Sequence, residues 1–396
     1  MRMLFLSTRL PFPPIGGERL RPFYFIKYLA LRWKITILSF FDSQREKKAA
    51  RNYLHNIPGL EICHLSLPRL RSYLQSAAGL FSLWPIEIAY YADRQMRSLV
   101  ERQIKTREYD LIFCHLLRMA PYVQDIQGIK KVLDISDALS LRYEISSRYR
   151  KGPFKFIEHI ESRRLKQYEP GVAEKFDLNL ISSSIDKDHL EAKLGISKLE
   201  VIENGIEPDM INQAETSSIR QKIVFFGNLR IFHNVDAIRY FYQKIFPLIR
   251  AKIKDAQLVI VGANIPRCIL KLRQDSAVSV FRDVPDLFEY VRDASVSIAP
   301  MRIAVGIQNK ILQSMAYGVP VVTTTLGLGG IKARPNREVL VADKPEEFAR
   351  QVIALMQDGC LKSSIVKNAH TLIKEHYLWP EICEQLHNRL ISLITK

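Results

Sequence analysis

The 396-residue chain lacks several features that would each have settled its class. No apolar run approaches the roughly 20 residues that a membrane-spanning helix needs, so no span is expected. The five cysteines, Cys63, Cys114, Cys268, Cys360 and Cys383, form no CxxC pair. Such scatter argues for reduced thiols and against a disulfide frame or a zinc site. Acidic residues are outnumbered, 41 against 58 Lys and Arg, and no carboxylate cluster asks for a metal. The amino terminus, MRMLFLSTRLPFPP, holds only a short apolar stretch broken by Arg9 and prolines. It reads as a first strand, since a signal sequence needs a longer apolar core and a cleavage site. The cytoplasm is therefore the expected compartment. Collagenous, coiled-coil and short-period repeats are absent as well.

What is present is an apolar content of 47% on a length comfortable for two domains. The net charge of +17 calls for an anionic partner: nucleic acid, anionic lipid or a phosphorylated small molecule. Between Arg142 and Lys166 eight basic residues face three glutamates, interleaved with Tyr143, Tyr149, Phe154, Phe156 and Ile157. That mixture suits a peripheral anionic membrane surface better than nucleic acid, and a merely solvated helical face is the alternative. A second aromatic stretch, Leu70, Tyr73, Leu74, Leu80, Phe81, Leu83 and Trp84, is expected either to face a membrane or acceptor or to fill the core.

Apolar strands alternate with helices along the chain. Strands are expected at Met3–Ser7, Lys34–Phe41, Glu61–Leu65, Tyr109–His115, Lys131–Ser136 and Phe176–Ser184, then at Lys222–Gly227, Leu258–Gly262, Val278–Val280, Val296–Ala299, Val319–Thr324 and Val339–Val341. Continuous runs such as KITILSFF fit parallel sheets covered on both faces. A polar stretch around Gln213 to Gln221 divides the two series. The fold class is therefore α/β, two Rossmann-like doubly wound domains facing a cleft. The boundaries expected are 1–212, 213–378 and a terminal helix at 379–396 that crosses back.

The richest segment is Ser297 to Thr325, a strand, a loop, a helix opening at Gly306 to Asn309 and a returning strand. Free N–H groups at such a helix start attract anions. Arg302 and Lys310 flank it, and Gln313 lies one turn on, so a phosphate-bearing ligand is the candidate. The alternative is an ordinary crossover with solvated charges. Gly16 and Gly17, between the first strand and its helix, offer a weaker backbone site for phosphate. His115 ends the central strand, where a lone histidine is commonly structural. Asp134 and Asp137 lie at the end of the next strand and suit either acceptor hydroxyls or helix capping.

The pattern APxRxxxGIxNKxLxxMAxGxPVV across residues 299–322 resembles the donor-binding segment of retaining glycosyltransferases of the GT-B fold, family 4, and most of all the bacterial exopolysaccharide sugar-transferase branch. VIENGI at Val201 to Ile206 and MAPYV at Met119 to Val123 add to it. The resemblance implies a nucleotide-sugar donor used as substrate with no cofactor and no metal, and a polysaccharide or lipid-linked glycan acceptor. It implies catalytic roles for His115, Arg230 and Lys310. Donor binding would fall to Gly16, Gly17, Gly227, Asn228, Arg302, Gly306, Ile307, Asn309 and Gln313. Two family glutamates are replaced here by Val305 and Gln313. The glycines Gly327, Gly329 and Gly330 are expected to form a flexible loop that closes on the donor. A nucleotide-sugar epimerase and a non-catalytic binding or scaffold protein are the other readings.

Overall fold

Runs of Val, Ile, Leu and Phe without polar alternation leave a strand no solvent face, so it must sit inside a sheet with helices on both sides. The computed structural model describes residues 1–14, 17–41, 43–54, 57–67, 69–79, 82, 84–211 and 221–395, and it gathers these runs into two parallel sheets. Gly16, Leu80, Phe81, Leu83 and most of the polar 213–221 stretch lie outside the described residues. The chain divides into two units, Met1–Glu203 with Ile382–Lys396, and Asn204–Glu381. The first thus ends before the polar stretch, and the chain rejoins it within the last helix, Trp379–Ile394.

In the first unit the strands are β1 (Arg2–Ser7), β2 (Lys34–Phe41), β3 (Leu60–Ser66), β4 (Leu111–His115), β5 (Lys130–Ser136), β6 (Leu178–Ile181) and β7 (Leu199–Val201). Their order is β3-β2-β1-β4-β5-β6-β7. Phe5 and Phe113, paired in register across β1 and β4, stack at 4.8 Å between ring centroids. The helix Gly17–Leu29 lays Phe25 edge-on against Phe113. On the same unit the last helix is held by Trp33, whose Nε1 donates to His387 Nδ1 at 3.0 Å, and by Arg389 on Glu200.

The second unit repeats the plan with β8 (Lys222–Asn228), β9 (Gln257–Ala263), β10 (Val278–Arg282), β11 (Val296–Ala299), β12 (Val321–Thr323) and β13 (Leu340–Val341), ordered β10-β9-β8-β11-β12-β13. In both sheets the winding reverses next to the first strand, between β1 and β4 and between β8 and β11, which opens a crevice at the carboxyl ends. A close approach marks that edge in the second unit. A Cβ at Gly262 would lie 2.4 Å from the Gly227 carbonyl oxygen, so only glycine fits there.

One expectation is corrected. Gly327, Gly329 and Gly330 do not form an open loop: Thr325–Leu328 is a short helix capped by Thr324 Oγ1, which accepts from Gly327 N at 2.9 Å. Asp343 holds its start by accepting from the Thr325 N–H and hydroxyl. A Cβ on Gly327 would sit 2.4 Å from Thr323 Oγ1, so that glycine serves packing. No helix among the described residues is long and apolar enough to cross a membrane.

Candidate functional site

In the second unit, the site is built where β8 and β11 end. β11 delivers Met301 and Arg302, and the loop then turns at Gly306, whose φ of 62° is left-handed. The helix Asn309–Ala316 follows. Its N-cap, Gln308, makes no capping bond with its side chain, because Gln308 Nε2 instead donates to the Val305 carbonyl at 3.2 Å. Ile311, Leu312 and Met315 turn into the core, and the opposite edge carries Lys310 and Gln313. Lys310 is only 9% exposed. Its Nζ donates to Asn234 Oδ1, lies 3.7 Å from Met301 Sδ and sits 5.0 Å from the centroid of the Phe225 ring. Burial in this nest pushes the ammonium down to about 7. Among the described residues no carboxylate pairs with it.

Asn234 also donates through Nδ2 to the Asn228 carbonyl at 2.9 Å, so it ties Lys310 to the end of β8. A Cβ on Gly227 would meet Asn234 Nδ2 at 3.3 Å and Lys310 Cε at 3.7 Å. Gly227, Asn228, Asn234 and Lys310 therefore form one cluster. Arg230 lies exposed in the same loop, its N–H bonded to Asn228 Oδ1 at 3.0 Å. Asn309 accepts from Asn204 Nδ2 at 3.0 Å, which fastens the helix start to the NGI segment. Ile307 is buried, Gln313 half-buried and Val305 half-buried.

Arg302, expected among the donor-binding residues, is already paired within the unit. Asp236 holds it bidentately, Nε to Oδ2 at 3.0 Å and Nη2 to Oδ1 at 2.6 Å, and the guanidinium lies 4.5 Å from the Tyr240 centroid. Its charge is already neutralised. The residue that sequence reasoning missed is Asn234, in the first turn of the helix Phe232–Tyr240 that follows β8.

The first unit holds His115 and Asp134 together. Both are fully buried, with Nδ1 of the ring 2.8 Å from Asp134 Oδ2. Burial alone would raise the Asp134 carboxyl, but Arg21 and His115 outweigh it and hold it below the usual carboxylate range. Asp134 is thus corrected as an acceptor-binding residue, since its oxygens face Arg21 and His115 and none is exposed. Asp137 remains half-buried, accepts from Ser182 Oγ at 3.2 Å, and is raised by burial. Neither aspartate caps the helix Leu139–Ser147. Glu169 accepts from Ser140 N at 3.1 Å and Asp186 from Ala138 N at 3.3 Å, so the cap comes from distant residues. Arg21 was also missed; Gly17, the described half of the Gly-Gly pair, opens its helix.

The surface of the first unit carries the expected aromatic and basic face. Leu70 (78% exposed), Leu74 (65%), Phe154 (61%) and Phe156 (71%) protrude. Two of the three glutamates of the stretch turn inward, where Glu158 binds Arg150 and Glu161 accepts from the Ile86 N–H and from Arg164, while half-buried Glu144 pairs with Arg148 and Lys166. Arg164 Nη1 donates to the Gly79 carbonyl at 3.0 Å, which places Arg69–Gly79 beside Pro153–Ala173. Among the described residues no three His, Cys, Asp or Glu gather as a metal site.

Comparison with known proteins agrees with this architecture. Residues 220–358 match the family of glycosyl transferases group 1. An uncharacterized 44.6 kDa protein in the cps region of Klebsiella pneumoniae is 22% identical, covering 95% of this chain and 96% of that protein. Among solved structures, sucrose-phosphate synthase from Thermosynechococcus elongatus superposes with a TM-score of 0.75 at 13% identity, over 100% of this chain and 99% of that one. HepE from Anabaena in complex with UDP-glucose gives 0.68 at 16% identity, over 99% and 100%.

Proposed function

From a GT-B-fold chain whose residues 220–358 are a glycosyl transferases group 1 domain, we propose a transferase that moves a sugar from a nucleotide diphosphate donor to a polysaccharide or lipid-linked glycan, with retained configuration, in cell-surface glycan assembly. The observation that carries this reading is Lys310, a buried ammonium without a carboxylate partner among the described residues, at the start of a helix whose N-cap makes no side-chain bond. In the transfer the bond from the sugar's anomeric carbon to the diphosphate breaks, and its electrons go to the leaving oxygen. The acceptor hydroxyl oxygen forms the new bond to that carbon, and its proton passes to the departing phosphate oxygen. Charge therefore grows on the diphosphate, and a fixed cation in a dry site stabilises it at no reorganisation cost. Lys310 supplies that charge, Asn234 fixes its position, and the helix dipole adds to it. The HepE structure contains UDP-glucose, which favours a nucleotide-sugar donor. With Lys310 neutralising the leaving group, the reading needs no metal.

The cationic aromatic face on Arg69–Gly79 and Pro153–Ala173 supports action at the inner face of a membrane, against anionic lipid. A panel of nucleotide-sugars screened by thermal shift, followed by transfer assays on lipid extracts, tests the reading. A donor that stabilises the fold and is consumed only with acceptor supports it. Stabilisation without transfer to any acceptor would instead assign a binding protein, and isomerised donor an epimerase.

A further inference from the structure

The first unit carries a further concavity at the amino edge of its sheet, opposite the crevice. A cavity of about 590 Å³ opens where β5 and β6 begin and where the chain enters β7, and Lys130, Lys131, Lys175 and Lys198 line it. Sheets of this kind take their substrates at the carboxyl edge, so the cavity does not continue the crevice. The carboxylates beside it are largely committed. Asp125 holds Lys175 at 2.8 Å, and Asp177 accepts from the backbone N–H of Lys131 at 2.8 Å with Lys130 Nζ 3.9 Å away.

The Lys131 ammonium has no such partner. The residue is 6% exposed, and its Nζ donates to the Gln124 carbonyl at 2.6 Å and lies 5.7 Å from the centroid of Phe176. An ammonium carries three donors, so two of them meet no acceptor among the described residues. Asp125 and Asp177 act on it at longer range, and burial outweighs them and pushes the ammonium below its usual value. Lys198 enters β7 at a φ of 55°, a left-handed conformation that glycine adopts without strain, and its side chain is exposed at the cavity. Ammonium groups hold phosphate as point charges. Gln124 Oε1, buried without a partner, and the exposed Glu174 offer acceptors to hydroxyl groups. Nucleic acid would ask for an unbroken basic track, which Asp125, Glu174 and Asp177 interrupt. A small phosphorylated polyol uses both sets of groups, and the volume suits one.

We propose that this cavity binds a phosphorylated sugar, with Lys131 and Lys198 on the phosphate and Gln124 and Glu174 on the hydroxyls. The site stands apart from the donor cluster around Lys310 and does not depend on the transferase reading.

Titration calorimetry on the full chain with glucose 1-phosphate, inorganic phosphate and glucose tests it. Glucose 1-phosphate should saturate with a Kd below about 1 mM and bind at least about fivefold tighter than inorganic phosphate, while glucose gives no binding heat. Lys131→Met should weaken that binding at least about tenfold, the usual worth of a hydrogen bond to a charged group. Lys198→Gly suits its left-handed backbone, so it keeps the fold and should weaken binding about threefold. Lys310→Met should leave it within about twofold, because that lysine belongs to the other unit. Unchanged binding in Lys131→Met overturns the proposal; where that variant unfolds, unchanged binding in Lys198→Gly does so instead. Equal affinities for inorganic phosphate and glucose 1-phosphate, or no saturation by about 10 mM, also overturn it. So does loss of binding in Lys310→Met, which would assign the sugar phosphate to the donor cluster.

Discussion

Replacing Lys310 with Met should stabilise the second unit and abolish donor binding at once. The wild-type ammonium is held at about 7 by burial, against 10.5 for an exposed lysine. A gap of that size corresponds to roughly 4–5 kcal/mol of folding free energy spent below pH 7 to keep the charge in the nest. The sign follows from proton counts. Between about 7 and 10.5 the unfolded chain holds the proton and the folded chain does not, so wild-type stability rises with pH across that window. Methionine has a similar length and no charge, and exchanging a buried ion for an apolar side chain is worth about 1–4 kcal/mol. Asn234 loses one partner but keeps its bond to Asn228, which returns about 1 kcal/mol. Urea melts should therefore show Lys310→Met ahead by up to about 3 kcal/mol at pH 6, with the advantage shrinking at pH 9. Donor binding to the wild type should take up a proton, and affinity should fall by up to about tenfold per pH unit above 7, as titration calorimetry in buffers of different ionisation enthalpy would show. A variant less stable than wild type at pH 6, with a difference indifferent to pH, would refute the reasoning.

Four further outcomes are expected. Glu169, raised to about 7 by burial, gives stability that is complete below 4.5 and lost as pH rises through 7, so Glu169→Gln should gain on the order of 3 kcal/mol at pH 8 and nothing at pH 4.5 in denaturant melts. Gly205→Ala should cost about 1–3 kcal/mol by thermal melting, since the new Cβ would lie 2.8 Å from Trp379 Cδ2 and 2.9 Å from Trp379 N. Arg302→Met should leave donor affinity within about threefold while lowering stability by roughly 1–3 kcal/mol, because Asp236 is left partly buried without its partner. Phe154→Ser with Phe156→Ser should reduce co-sedimentation with anionic vesicles, and added salt should weaken wild-type binding further.

The readability of this chain differs between its levels. Strands at Lys34–Phe41 and Val296–Ala299 match their expected bounds, because an unbroken apolar run leaves the backbone one satisfactory environment. The clustering of Lys310 with the β8 loop was also foreseeable, since βαβ winding brings carboxyl edges together. What escaped reading were the partners of charged groups. Arg21 meets Asp134 across 113 positions and Arg302 meets Asp236 across 66. Such pairs obey no period, and either cation could as well have faced a ligand. The helix at Leu139–Ser147 shows the same limit, for Glu169 and Asp186 bond the N–H groups at its start, where capping by Asp134 or Asp137 was one of two readings. Gly327 was misread because glycine signals both freedom and lack of room, and only the nearby Thr323 hydroxyl shows which.

By itself, the amino-acid order determined two parallel sheets and the helix that starts after Gly306. These follow from local periodicity and from backbone groups that every helix presents. Tertiary structure alone decided which cations are paired, Arg302 by Asp236 while Lys310 meets no carboxylate among the described residues, and that His115 is backed by Asp134 and Arg21. The reason is physical: availability depends on what else is packed within about 4 Å, and packing is a property of the folded chain.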